Sequence, residues 1–315
     1  MINTKLRPQD TGFENLIDSE QVAQENAQRT KKFHSMKKKR AITNSLSYLV
    51  LAVLGIIWII PIIMIIFVSL RNVSSFTGNL IPDEGLTFHW YYDILVSDVF
   101  PFKRWFFNTL IVAIFCMVIS TLFVMSVAYT MSRLRFKARK GFMNINLILG
   151  MFPGFMSMIA VYNILKALGI SGTLISLILI YSGASGSGFL IAKGFFDTVS
   201  KSLDESARID GANNFKVFYK IVLPLSKPIL VYTLLTSFMS PWVDYIFSSV
   251  ILRDNTENYT IALGLYNMIQ SREDIVNNMT MFFAGAVLIS VPIMILFLFT
   301  QKYYVAGVTG GSVKG

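Results

Sequence analysis

Ser200-Lys-Ser-Leu-Asp-Glu-Ser-Ala-Arg-Ile-Asp-Gly-Ala-Asn-Asn-Phe-Lys-Val-Phe-Tyr-Lys-Ile-Val-Leu-Pro224 is a polar, amphipathic island between two long apolar runs of a 315-residue chain. Ser202-Leu-Asp-Glu205 matches a capping box, in which Ser202 accepts from the backbone of Glu205 and Glu205 reaches back, so a helix is predicted from Leu203. Asp204 and Glu205 suit the positive end of its dipole. Gly211 supplies the left-handed residue that ends it. Asn213 or Asn214 caps a second helix, whose Phe215, Phe218, Tyr219 and Val222 fall at i, i+3, i+4 and i+7 on one face. Pro224 and Pro228 mark its end. Two helices this short do not fold alone, so a protein partner is expected to cover the apolar face. Lipid is a poor cover, because Asp197, Asp204, Glu205 and Asp210 mix with the bases from Lys193 to Lys227.

The rest of the chain is oilier. Hydrophobic residues make up 54% and charged residues 15%, against about 45–50% and about 25% in soluble domains. Apolar runs at 41–70, 105–132, 141–165, 169–192, 228–252 and 275–301 reach or exceed the roughly 20 residues that cross a bilayer. An all-α membrane protein with six transmembrane helices is predicted, kinked at Pro61 and Pro241. Of the 28 Lys and Arg, 22 lie on one set of alternate segments and 6 on the other, which predicts both termini in the cytoplasm. The domains expected are a basic N-terminal tail over 1–40, flexible or lying on a surface, a six-span domain over 41–301, and a C-terminal tail over 302–315. Within the spans, 193–227 is the large cytoplasmic loop, and 71–104 and 253–274 are external. No early apolar core is followed by a cleavage site, so no removable signal peptide is expected.

Several function classes recede. The net charge of +10 sits in blocks flanking apolar runs, so nucleic acid is not an expected partner. Cys116 is the single cysteine, and His34 and His89 are isolated, so neither a disulfide nor a metal site is predicted. No G-x-x-x-x-G-K-[ST] phosphate loop occurs, and a chain lacking one does not hydrolyse ATP alone. Trp90, Tyr91, Tyr92, Phe100, Phe102 and Trp105 read as an interfacial aromatic belt. The polar segment 253–278 either projects toward a partner or is an idle loop. Ser182-Gly-Ala-Ser-Gly-Ser-Gly188 reads as a helix-packing stretch or an unwound one. Asp244 is the one ionisable group inside an apolar run, at a cost of about 2.5–3.5 kcal/mol if bare. It faces either a substrate pathway, with Trp242 and Tyr245 beside it, or a structural hydrogen-bond partner.

Glu205-Ser-Ala207, Gly211 and Ile221-Val-Leu-Pro224 resemble the EAA loop of permease subunits of ATP-binding-cassette importers, which reads E-A-A, three residues, G, nine residues, I-x-L-P. Ser206 for the middle Ala is the one departure. Ala128-Tyr129, Arg133-Leu-Arg-Phe136, Met151-Phe-Pro153, Lys193-Gly194 and Gly310-Gly-Ser-Val-Lys-Gly315 look like the carbohydrate-importing branch, and within it the maltose and maltodextrin permeases of the MalG type. The resemblance implies a transport subunit without enzymatic activity in the bacterial cell membrane. Its partners would be a second, MalF-like permease, two ATPase subunits that bind ATP and Mg, and an extracytoplasmic sugar-binding protein. This chain itself would bind no cofactor. Glu205, Ser206, Ala207, Asp210, Gly211, Phe215, Phe218, Ile221, Leu223 and Pro224 would be the ATPase-coupling element, and the 253–278 loop would reach the binding protein. Another oligosaccharide or a polyol is the alternative cargo. An ion-coupled secondary transporter, the rival class, calls for inverted repeats and several intramembrane charges.

Overall fold

A computed structural model describes residues 11–74, 85–151, 154–253 and 255–312. The described part is helical, and the one β contact is an isolated antiparallel bridge between Arg71 and Leu86. The chain divides into two units, Met1–Met64 and Ile65–Gly315.

The first unit belongs to helix α1 (Thr11–Ser69). Residues 11–40, expected as a flexible or surface-lying tail, continue the same helix as the first apolar run. Good helix formers are frequent there, and no proline interrupts the helix before Pro61. From Ile42 to Ile63 its apolar side chains are exposed all round, as on a helix solvated by lipid or by another subunit.

The second unit is organised on α3 (Phe102–Arg133), buried along one side from Phe102 to Ser132. The opposite face leaves Ile111, Phe115, Leu122 and Phe123 open. The other helices are α2 (His89–Val96), α4 (Arg139–Gly150), α5 (Gly154–Ala167), α6 (Leu174–Ala184), α7 (Phe189–Thr198), α8 (Lys201–Ile209), α9 (Asn214–Val217), α10 (Leu223–Leu225), α11 (Lys227–Val243), α12 (Ile246–Leu252), α13 (Ile261–Asn267) and α14 (Arg272–Ser312). Three clusters pack on α3. Val124, Ala128, Phe196, Val217 and Val222 surround its C-terminal end. Ile94, Trp105, Trp242, Ile261 and Leu265 surround its N-terminal end, and Val112, Cys116, Leu177 and Ile251 lie between. Lipid tails are as apolar as these side chains, so close van der Waals fit rather than escape from water holds such contacts together.

Among the described residues three helices are long and apolar enough to cross a membrane, Lys39–Ser69, Phe102–Arg133 and Arg272–Tyr303, or up to five if two bent pairs each count as one span. Several of the six predicted apolar runs are interrupted among the described residues. The run 169–192 is broken by a 3₁₀ turn over Ser185–Gly188, where small residues give the helix little to pack with, and α6 and α7 meet at a 42° bend. The run 228–252 stops at Val243, and Asp244 turns extended before α12 begins. Pro241 sits inside α11 two residues before that break. The run 141–165 is divided between α4 and α5, and its Phe152-Pro153 lies outside the described residues.

Part of the expected aromatic belt is core. Phe102 and Trp105 are buried, the Trp90 indole donates to the Arg71 carbonyl at 2.7 Å, and the Tyr91 hydroxyl bonds Ser69 Oγ at 2.6 Å. Tyr92 alone of the three residues 90–92 is exposed. Within the segment 253–278, the stretch 255–261 is tied to the bundle. Asn108 donates to the carbonyls of Glu257 and Tyr259, the Ile261 N–H donates to Thr109 Oγ1 at 2.7 Å, and Asn255 and Asn258 both donate to the Gly172 carbonyl. Ile261, Leu263 and Leu265 are buried, an apolar triplet that outweighs the polar residues flanking it.

Candidate functional site

The island folds into two short helices at the C-terminal end of α3. Helix α8 begins two residues earlier than the capping box predicts. Ser200 Oγ accepts from the Ser202 N–H at 3.3 Å, and the Ser202 hydroxyl bonds that of Ser200 rather than the Glu205 backbone. The other end follows the sequence. Gly211 has φ +79°, its N–H donates to the Arg208 carbonyl, and the Ala212 N–H donates to the Ala207 carbonyl. These two bonds form a Schellman motif with glycine at the left-handed position. Asn213 caps α9 through Oδ1, which accepts from the Lys216 N–H at 2.8 Å. Asn214 has another duty, because its Oδ1 receives the Arg208 guanidinium at 2.9 Å and its carbonyl receives the Tyr129 hydroxyl at 3.0 Å.

A buried ion pair fixes this assembly to the bundle. Arg133 Nε lies 3.2 Å from Asp204 Oδ2, and the two side chains are 1% and 7% exposed. The same guanidinium donates through Nη2 to the carbonyls of Phe196 and Val199. Asp204 is thus buried against α3 instead of idling beside the helix dipole, whereas Glu205 stays exposed. Nearby, Asp197 accepts from Ser132 Oγ at 2.5 Å and from Lys193 Nζ at 2.6 Å. The basic stretch that starts at the last residue of α3, read in sequence as a topology signal and as part of the resemblance, begins with the residue that seats the island.

The predicted apolar stripe splits in two. A π-helical turn over Phe218–Val222 shifts the register, so Val217 and Val222 are fully buried while Phe218 packs on Tyr129 at 4.9 Å between ring centroids. Phe215 and Tyr219 stay together at 5.9 Å and face outward, with Ile209 beyond them 86% exposed. Ser206, Asp210, Gly211 and Pro224 are exposed, and Ala207, Ile221 and Leu223 are half-buried. Ile209 and Leu203 are exposed as well, and were legible as the two bulky apolar side chains of an otherwise polar helix.

Gly211 meets no atom within 4 Å of the position a Cβ would take, so only its backbone angle resists substitution. Gly211→Val places a β-branched residue in the left-handed region, at about 1–2 kcal/mol or more. The expected result is an inserted chain with altered angle between α8 and α9, seen as faster hydrogen exchange over 201–217. Gly211→Asn, which tolerates that conformation, should exchange nearly as slowly as the parent; equal exchange in all three proteins would show that the left-handed residue does not hold the bend.

A second polar centre lies at the break between α11 and α12. Asp244 Oδ2 accepts from the Tyr181 hydroxyl at 2.5 Å and from the Ser248 N–H at 3.2 Å, and Oδ1 accepts from the Phe247 N–H at 3.3 Å. Asp244 is half-buried and faces a cavity of about 740 Å³ that Tyr181 and Ser240 also line. The residues expected beside it separate. Trp242 is 1% exposed, packed on Phe238 and edge-on to Phe106 in the core, and Tyr245 stacks on Tyr266 at 4.0 Å between ring centroids. Tyr181 was not singled out in the sequence, since nothing local ties it to Asp244. No cluster of three or more possible metal ligands occurs among the described residues.

Both centres fall within residues 125–310, which match the family described as binding-protein-dependent transport system inner membrane component. The chain belongs to this family of permease components. It is 37% identical to the maltodextrin transport system permease protein MalD of Streptococcus pneumoniae, over 90% of this chain and 99% of that one. It is 35% identical to the galactooligosaccharides transport system permease protein GanQ of Bacillus subtilis, over 89% and 99%. A maltose/maltodextrin transport system permease protein MalG, that of Yersinia pestis, is 31% identical over 81% of this chain. In structure it superposes on a chain from a bacterial ABC transporter that imports the acidic polysaccharide alginate, with a TM-score of 0.68 at 23% identity, covering 84% of this chain and 96% of that one. As a permease component, the chain devotes the start of its matched region, from Met125 to Arg133, to the seat of the two-helix island.

Proposed function

We propose that this chain is one permease subunit of an ATP-driven importer that moves an oligosaccharide of the maltodextrin type across the bacterial cell membrane by alternating access. It works with a second, MalF-like permease, two ATPase subunits that carry ATP and Mg, and an extracytoplasmic sugar-binding protein. Six membrane passages, two of them through bent helices, put both termini in the cytoplasm, and the division into 1–40, 41–301 and 302–315 follows from that topology. The charge asymmetry of the flanking segments supports this orientation, and the names of the relatives support the cargo. A galactooligosaccharide is the second reading, favoured by the likeness to GanQ. The likeness to the alginate importer concerns the fold and leaves the charge of the cargo open.

One observation carries the proposal. The island presents Ile209, Phe215 and Tyr219 to the outside while its inner side is fixed by the Arg133–Asp204 pair. A rigidly seated helix pair with an uncovered apolar face is suited to transmit a push from a docked partner, provided the partner binds the two states of the bundle differently. Ile209→Ala with Phe215→Ala is expected to weaken co-purification of the ATPase subunits at least tenfold, since such apolar anchors dominate interface energies. Uptake of maltotriose into proteoliposomes should require ATP and the binding protein. Uptake driven by an ion gradient without ATP would overturn the reading.

A further inference from the structure

Two chambers meet at Tyr181, Ala184 and Ser240. The first, about 740 Å³, opens between α5, α6, α11 and α12 and holds Asp244. The second, about 280 Å³, lies beside α3 and carries the hydroxyl residues Ser120, Ser185, Thr233, Thr236 and Ser237. No Lys, Arg or His occurs among the described residues that line either one. Ser120 is 1% exposed, and its Oγ has no protein partner.

Three donors reach the Asp244 carboxylate, the Tyr181 hydroxyl and the N–H groups of Phe247 and Ser248, while the Ser248 hydroxyl gives its proton to the Asp244 carbonyl at 3.0 Å. An ionised carboxylate accepts at about four lone-pair sites and donates nothing, so about one site and the negative charge are left to what enters the first chamber. A solute rich in hydroxyls satisfies it, and the same solute can donate to the hydroxyl oxygens of the second chamber, where Ser185, Thr233 and Thr236 give their own protons to backbone carbonyls. An anionic solute meets repulsion from Asp244 with no cation to offset it.

Resting on the permease reading above, we propose that Tyr181, Asp244, Ser240 and Ser120 form a polyol-binding site that this subunit itself contributes to the passage. The site admits uncharged oligosaccharides and rejects uronic ones. Asp244 is its acceptor, Tyr181 holds the carboxylate in place, and the hydroxyls of the second chamber take over the sugar as it leaves the first.

The test uses the complete importer, with its own partner permease, ATPase subunits and binding protein, in proteoliposomes. Cargo moved per ATP hydrolysed is the readout, because a merely structural defect lowers uptake and hydrolysis together. Asp244→Asn keeps a capping side chain and an acceptor for Tyr181 but removes the charge. It is expected to lower maltotriose moved per ATP roughly tenfold, the loss of one charge-assisted hydrogen bond. Tyr181→Phe should lower it less. Saturation-transfer NMR on the importer without its binding protein should detect maltotriose but not trigalacturonate, and Asp244→Asn should narrow that difference. An unchanged ratio in both variants, or equal binding of the two sugars by the parent, overturns the site. Failure of the parent to import either maltotriose or a galactotriose with ATP overturns instead the function on which it rests.

Discussion

Arg133→Ala is expected to destabilise the seat of the two-helix island by about 3–5 kcal/mol, the usual consequence of leaving one member of a buried pair without its partner. Three losses coincide at this residue. Asp204, 7% exposed, keeps a charge that water does not reach, and the carbonyls of Phe196 and Val199 lose their shared donor. Tyr129, one turn earlier on α3, still holds the Asn214 carbonyl, so the island should loosen rather than detach. Hydrogen exchange over residues 200–217 should rise by about two orders of magnitude or more, while the rest of α3 stays protected. Arg133→Lys should recover only part, because an ammonium on a flexible stem does not reproduce the fork that serves Asp204 and two carbonyls at once. Adding Asp204→Asn to Arg133→Ala removes the orphaned charge and should restore part of the protection. If the double variant exchanges as fast as the single one, the ion pair is not what seats the island.

The island itself was legible because its signals are local. The spacing from Glu205 to Pro224, the left-handed Gly211 and the Asn213 cap each depend on residues a few positions apart, and all three are in the structure. The ion pair was not legible, since Arg133 and Asp204 are distant in sequence and a base at the end of a span satisfies the topology rule whether or not it is buried. The capping box misplaced the start of α8 because Ser200 and Ser202 compete for one role, and the chain uses the first. Helical periodicity put Phe215, Phe218, Tyr219 and Val222 on a single face, and a π turn divided them. Hydropathy located the apolar runs but averages over breaks: the small residues of Ser182–Gly188 left unwinding as one of two readings, Pro241 pointed to a kink, and the extended turn at Asp244 itself passed unseen. Asp244 shows how far single-residue reasoning reaches. Its cost in an apolar run demanded a partner, and only the fold supplies Tyr181.

Gly264→Ala is expected to have the second large effect, at the other end of α3. A methyl group there would stand 2.2 Å from Trp105 Cδ2 and 2.3 Å from Cε3, closer than any non-bonded carbons approach. Trp105 has little room to withdraw, being 4% exposed and packed beside Phe100. The backbone of α13 has little room either, with the Ile261 N–H tied to Thr109 and the preceding segment tied to Asn108. Overpacking of this kind costs roughly 1–3 kcal/mol and at times more, and the weaker side yields, which here is a seven-residue helix. Lifted α13 exposes Ile261 and Leu265 and displaces the open rim at Tyr266, Gln270 and Arg272, the surface the proposed binding protein would meet. Faster hydrogen exchange over 261–268, a red-shifted Trp105 emission in a background without the other tryptophans, and weaker stimulation by the binding protein should appear together. Trp105→Leu, which opens space on the facing side, should restore the first and third in the Gly264→Ala chain. If Gly264→Ala leaves the 261–268 amides as protected as in the parent, α13 is not wedged against α3, and the rim would then be free to move independently of the helix whose other end seats the two-helix island.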